Sequence, residues 1–201
     1  MTDWERRRES GEWLGEAVRY FHGIGFFAHY TGMTDDEIAA KIKEYHGEDW
    51  EEYIAGAADQ ASAEMFLLMA DVDRVWFRDL EGVYKGDGAY AHTLEEWASI
   101  SRGAFQPSDI EETWEGDGGP VRVAFTLDGK RHEYVHADGN DDFIEIEILK
   151  MVNGLLKHAP YRLEAADNLG DCRFIVALSR EERERLRRER GWSFCDHLSP
   201  E

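Results

Sequence analysis

The spacing of apolar residues changes near residue 71, and that change constrains the fold more than any single motif. Up to Ala70 the apolar residues fall three and four apart, as on the buried stripe of a helix. From Arg74 they come in short runs bounded by Gly, Pro and Asp, the pattern of strands. Thr2 and Glu5 are spaced as a capping box ahead of Trp4, Trp13, Leu14, Val18 and Phe21, with Gly11 and Gly15 weakening or splitting that helix. Thr34-Asp35-Asp36-Glu37 opens a second helix carrying Ile38, Ile42 and Tyr45, which Gly47 ends. A third is expected from about Trp50 to Ala70, with Ala58, Ala61, Met65 and Leu68 on one stripe.

The second part reads as a strand at Arg74–Asp79, then a helix over 89–101 with Tyr90, Leu94, Trp97 and Ile100 on its face. Strands follow at 110–115, 121–127 and 130–136. The last two flank Asp128-Gly129, a pair that tolerates the positive φ angles of a type I′ turn, so Leu127 should lie opposite Lys130. A helix is expected over 141–158, with Asp141 and Asp142 at its N-terminus. Two strands, 161–166 and 172–178, are joined by a turn around Asn168 to Asp171, and Ser179-Arg180-Glu181-Glu182 opens a final helix. In that helix Glu181 and Arg185, and Glu184 and Arg188, have ion-pair spacing. The expected fold class is α+β: a mixed, mostly antiparallel sheet with helices on one face, preceded by an N-terminal helical section. Residues 1–70 should pack on a main domain of 71–201 and share its core.

Charge narrows the partners. The 201 residues carry 43 Asp and Glu against 23 Lys and Arg, a net charge of −20. Such a surface repels nucleic acid and anionic membranes, both of which are bound through clustered cations. Segments 31–70 and 71–120 carry −8 each. Two groups of acids stand out there, Glu48, Asp49, Glu51 and Glu52, and Glu111, Glu112, Glu115 and Asp117. The second, with Trp114 as an aromatic anchor, is the expected surface for a basic protein partner. Two cysteines define no disulfide framework, and no run approaches the roughly 18 apolar residues of a membrane span, so the expected location is the cytoplasm.

One motif suggests chemistry. His132-Glu133-Tyr134-Val135-His136 matches the His-Glu-x-x-His pattern of zinc peptidases, and continues with Gly139 and Asp142 in the manner of the metzincins. That chemistry needs a helix, where residues four apart share a face. Asp128-Gly129 lies just upstream and makes the segment a hairpin arm, in which the two histidines would stand about 13 Å apart. The alternative to a binding protein is therefore a zinc hydrolase with His132, His136 and Asp142 as ligands and Glu133 as general base. There is no nucleophile elbow, P-loop or dinucleotide fingerprint, and no cofactor is expected. A further alternative is a nucleic-acid mimic, which needs its carboxylates in one continuous stripe.

Five segments between Asp71 and Phe194 resemble a group of uncharacterised bacterial α+β proteins: residues 71–76 (DVDRVW), 100–105 (ISRGAF), 112–115 (ETWE), 125–130 (FTLDGK) and 190–194 (RGWSF). In general character the chain is similar to the small acidic immunity proteins that neutralise secreted bacterial toxins. That resemblance implies a bacterial, non-enzymatic protein that binds a basic toxin, and it brings no catalytic motif with it.

Overall fold

The computed structural model describes residues 2–79, 83–136, 144–166 and 172–199. The N-terminal section is helical: α1 Asp3–Ser10, α2 Glu12–Gly23, α3 Asp35–His46, α4 Asp49–Gly56 and α5 Gln60–Leu68. It is followed by β1 Val75–Asp79, α6 Ala89–Ile100, β2 Ser108–Trp114, β3 Val121–Leu127 and β4 Lys130–His136. The remainder comprises α7 Ile148–Leu155, β5 Arg162–Ala165, β6 Cys172–Leu178 and α8 Arg180–Arg190. The fold is α+β with an N-terminal helical region, and none of its helices is long and apolar enough to cross a membrane among the described residues.

Local chemistry explains most element ends. All three capping boxes form, at Thr2, Thr34 and Ser179, each closed by the glutamate three residues on. Gly11, at φ 73°, separates α1 from α2. Two expected helices are shorter than their apolar spacing implies. The one over 50–70 breaks into α4 and α5, because Asp59 turns extended and accepts the Ser62 N–H, starting a new helix. The one over 141–158 begins at Ile148. Ile144, Ile146 and Ile148 alternate with Glu145 and Glu147, and the Glu145 N–H donates to the Tyr90 hydroxyl (3.0 Å) rather than to a helical carbonyl. Asp141, Asp142 and the turn at 168–171 lie outside the described residues. In α8 the i,i+4 pair is Arg185–Glu189 (2.8 Å); neither Glu181–Arg185 nor Glu184–Arg188 forms.

The strands divide between two antiparallel sheets, ordered β1-β6-β5 and β2-β3-β4, instead of joining one. The first sheet is buried on both faces. Val75, Phe77, Phe174, Val176 and Leu178 point into a cluster built from α2 to α5 with Leu186 and Trp192. Trp76, Leu163, Ala165, Ile175 and Ala177 point the other way, into a cluster with α6, α7 and the inner face of β3. The period of two thus explains how one sheet serves both clusters. The β3–β4 hairpin has the expected register, Leu127 opposite Lys130, with Asp128 and Gly129 at φ 50° and 73°.

A buried acid holds the loop between α2 and α3. Asp71 Oδ2 accepts the N–H of Phe27, a non-glycine residue at φ 59°, at 2.7 Å. Arg74 runs beside it, its guanidinium 3.7 Å from the Phe26 ring centroid and 3.2 Å from Glu182. Burial pushes the Asp71 carboxyl above its ordinary value, outweighing the Phe27 hydrogen bond and the Arg74 charge. A pKa raised on folding contributes stability that is complete below the unfolded value and is lost as pH rises through the folded one. Asp71→Asn keeps an acceptor for Phe27 and removes the titration. Relative to wild type, it should gain stability above about pH 4, by about 1.4 kcal/mol per pH unit up to the folded pKa. Urea melts at stepped pH measure that difference.

Candidate functional site

The expected partner surface is largely occupied by the protein's own groups. A bulge between Ser108 and Glu111, where Asp109 sits at φ 49°, sets the β2 register. Glu111, Thr113 and Glu115 then face outward, while Ile110, Glu112 and Trp114 lie half-buried. Glu111 pairs with Arg131 (2.5 Å), Glu115 with Arg122 (3.7 Å) and Asp117 with Lys85 (3.2 Å). Glu112 caps a helix from outside: its Oε2 accepts the N–H groups of Tyr90 (2.9 Å) and Ala91 (3.1 Å) at the start of α6, which has no side-chain cap of its own. Its Oε1 accepts the Trp114 indole N–H at 2.6 Å. Glu112→Ala should lower stability by about 1–2 kcal/mol, and Glu111→Ala, at an exposed pair, by under about 0.5 kcal/mol; paired urea melts separate the two.

Strand geometry overturns the zinc-hydrolase ligand set. Residues 130–136 are extended, with His132 opposite Phe125 and His136 opposite Val121, so the two imidazoles are four strand residues apart. Glu133 projects from the other face and pairs with Arg122. Asp142, the third ligand of that set, lies outside the described residues. Among the described residues, no group of three His, Cys, Asp or Glu side chains could hold a metal ion.

A different surface has the properties sought on β2. Where α4 and α5 meet β1, an open groove of about 750 Å³ is lined by Tyr53, Phe66, Met69 and Phe77, with Asp49 and Glu52 among its acidic residues. Met69 and Phe77 also line an adjoining groove of about 260 Å³, together with Tyr45, His46 and Glu96. Tyr45 and Tyr53 are 54% and 57% exposed, although Tyr53 stacks on Phe66 at 4.3 Å. Burial against Phe66 pushes the His46 imidazole down to about 4, so it packs as a neutral ring near pH 7. Glu48, Asp49, Glu51 and Glu52 make no ion pair among the described residues. Glu96 differs, its carboxylate taken by the Trp76 indole (2.6 Å) and Arg78 (2.7 Å).

The acids at 48–52 stand out in the sequence, and they suit a helix N-terminus on their own account. Their combination with an aromatic groove is less visible. Trp50 and Ile54 form the buried stripe of α4, which leaves Tyr53 off the stripe beside Glu52. An aromatic on the acidic face of a helix was the available signal. The chain matches no protein-family model, no curated protein and no solved structure.

Proposed function

We propose that this protein is a non-enzymatic acidic binding module, with toxin neutralisation of the immunity type as its most specific form. Its partner is a basic protein that occupies the α4–β1 groove. The observation that carries this reading is the pairing of exposed Tyr53 and Tyr45 with Asp49 and Glu52, groove carboxylates that have no cationic partner among the described residues. Aromatic anchors supply contact area, and unneutralised acids supply attraction and orientation. The β2 acids contribute less, because a partner's cation would have to displace Arg131, Arg122 or Lys85.

The sheet edges support the same surface. Hydrogen bonding alternates along an antiparallel pair, so the Ala177 N–H to Arg74 carbonyl bond turns the backbone groups of Phe77 away from β6. Its carbonyl is taken by the Arg78 guanidinium, while its N–H has no partner among the described residues. At the opposite edge, β5 is closed by Asn153 and the Cys195 N–H. An unpaired edge bordering an apolar groove suits an extended segment of a partner chain.

The test is co-purification from native extract, followed by titration with a basic protein so recovered, at about 50 and 300 mM salt. Asp49→Lys with Glu52→Lys should weaken association about tenfold or more at low salt, and Glu111→Lys with Glu115→Lys much less. No association at low salt, or equal loss in the two variants, would count against this reading.

A further inference from the structure

One surface of this acidic chain is basic. Where the segment after α7 meets the start of α8, a cavity of about 340 Å³ is lined by Lys157, His158, Arg162, Arg180 and Arg183, with Glu164 and Glu184 as its lining acids. Arg183 is committed within the fold, its Nε 2.8 Å from Glu164 and its other nitrogens paired with Glu184 and Asp196. Arg162 donates to the Lys157 carbonyl at 3.1 Å. Lys157 and Arg180 differ from both. They are exposed, lie on separate segments, line one cavity and have no carboxylate within ion-pair distance among the described residues.

Two features make that arrangement unusual. The chain carries a net charge of −20, yet here two cations on neighbouring segments have no carboxylate partner among the described residues. Arg180 is also the first residue of α8, an 11-residue helix, where the helix dipole is itself positive and disfavours a cation. An anion in the cavity answers both. Two uncompensated charges match a dianion, and His158, next to Lys157 in the chain, lines the same cavity as a further donor. Ala159 and Pro160 add an apolar wall beside the charged groups.

We propose that this cavity binds a small phosphate monoester, the dianionic head between Lys157 and Arg180 and the organic part against Ala159 and Pro160. The site is independent of the α4–β1 groove. Its volume lies near the lower end of ligand cavities, which favours a compact ligand over a dinucleotide.

The test is an amide-shift titration of the full chain with phenyl phosphate, inorganic phosphate and benzoate in turn. Saturable shifts confined to 157–162 and 179–183 are expected, with phenyl phosphate binding more tightly than inorganic phosphate and benzoate weakest. Lys157→Ala with Arg180→Ala should weaken phenyl phosphate about tenfold or more without lowering the melting temperature, since both side chains are exposed. Shifts that never saturate, that spread over the arginines of α8, or that persist in the double variant would overturn the site. Benzoate binding as tightly as phenyl phosphate would overturn the choice of phosphate.

Discussion

Glu64→Ala should destabilise the protein by about 3–5 kcal/mol, the scale for breaking a buried charge pair by removing one partner. Glu64 lies in α5, fully buried among apolar neighbours. Its carboxylate pairs with Arg190, accepts the Trp192 indole N–H at 3.0 Å and accepts the Gln60 amide at 2.7 Å. Arg190 is 12% exposed, meets Glu64 through a terminal guanidinium nitrogen, and its Nε has no hydrogen-bond partner among the described residues. Alanine would leave that cation and the indole N–H unsatisfied together. The link matters beyond local packing, because it ties α5 to the last residue of α8, 126 residues later. Glu64→Gln keeps an acceptor for Trp192 and should lose roughly half as much. Thermal melts would show the alanine variant lowered by about 10 °C, using the usual scaling for a chain of this length. Removing Arg190 as well should recover part of the loss, and strictly additive losses would show that the two groups are not coupled.

What was legible in the sequence follows the range of the interactions involved. Capping boxes act over three residues, and those at Thr2, Thr34 and Ser179 form as their spacing implies. The Asp128-Gly129 hairpin is equally local, and β3 and β4 end where alternation and turn chemistry place them. Distribution of the strands between two sheets is not local. β1 finds its partner β6 roughly 100 residues away, and nothing in either strand alone names the other. The candidate site shows the same division. Its acids at 48–52 and 111–117 are obvious as charges, but whether each is free depends on which cation lies opposite. Arg131 reaches Glu111 only through a three-strand register that includes a bulge. Glu112 has the charge of a surface group and serves as a helix cap, because its strand passes the start of α6.

Asn153→Leu should lose about 3–5 kcal/mol although it adds an apolar residue to the most apolar helix. Asn153 is fully buried in α7 beside Ile148, Leu149 and Val152, so a leucine there would complete the core stripe. Its amide has another use. Nδ2 donates to the Leu163 carbonyl (2.8 Å) and the Leu198 carbonyl (2.9 Å), and Oδ1 accepts the Leu163 N–H (3.1 Å). Since Leu163 turns its backbone groups away from β6, the side-chain amide stands in for one residue of a further strand and closes the edge of β5. Leucine would leave as many as three buried backbone groups without a partner, at about 1–3 kcal/mol each. Asn153→Ala removes the same bonds but opens space that a water can enter, so it should lose less than the leucine variant. If leucine proved the milder change, packing rather than hydrogen bonding would be what Asn153 supplies. The effect should also reach the basic cavity, because Arg162, Glu164 and Ser199 line its wall and Asn153 holds β5 against Leu198. Faster amide exchange at 162–165 and at 195–199, with β3 and β4 unaffected, would mark that loosening.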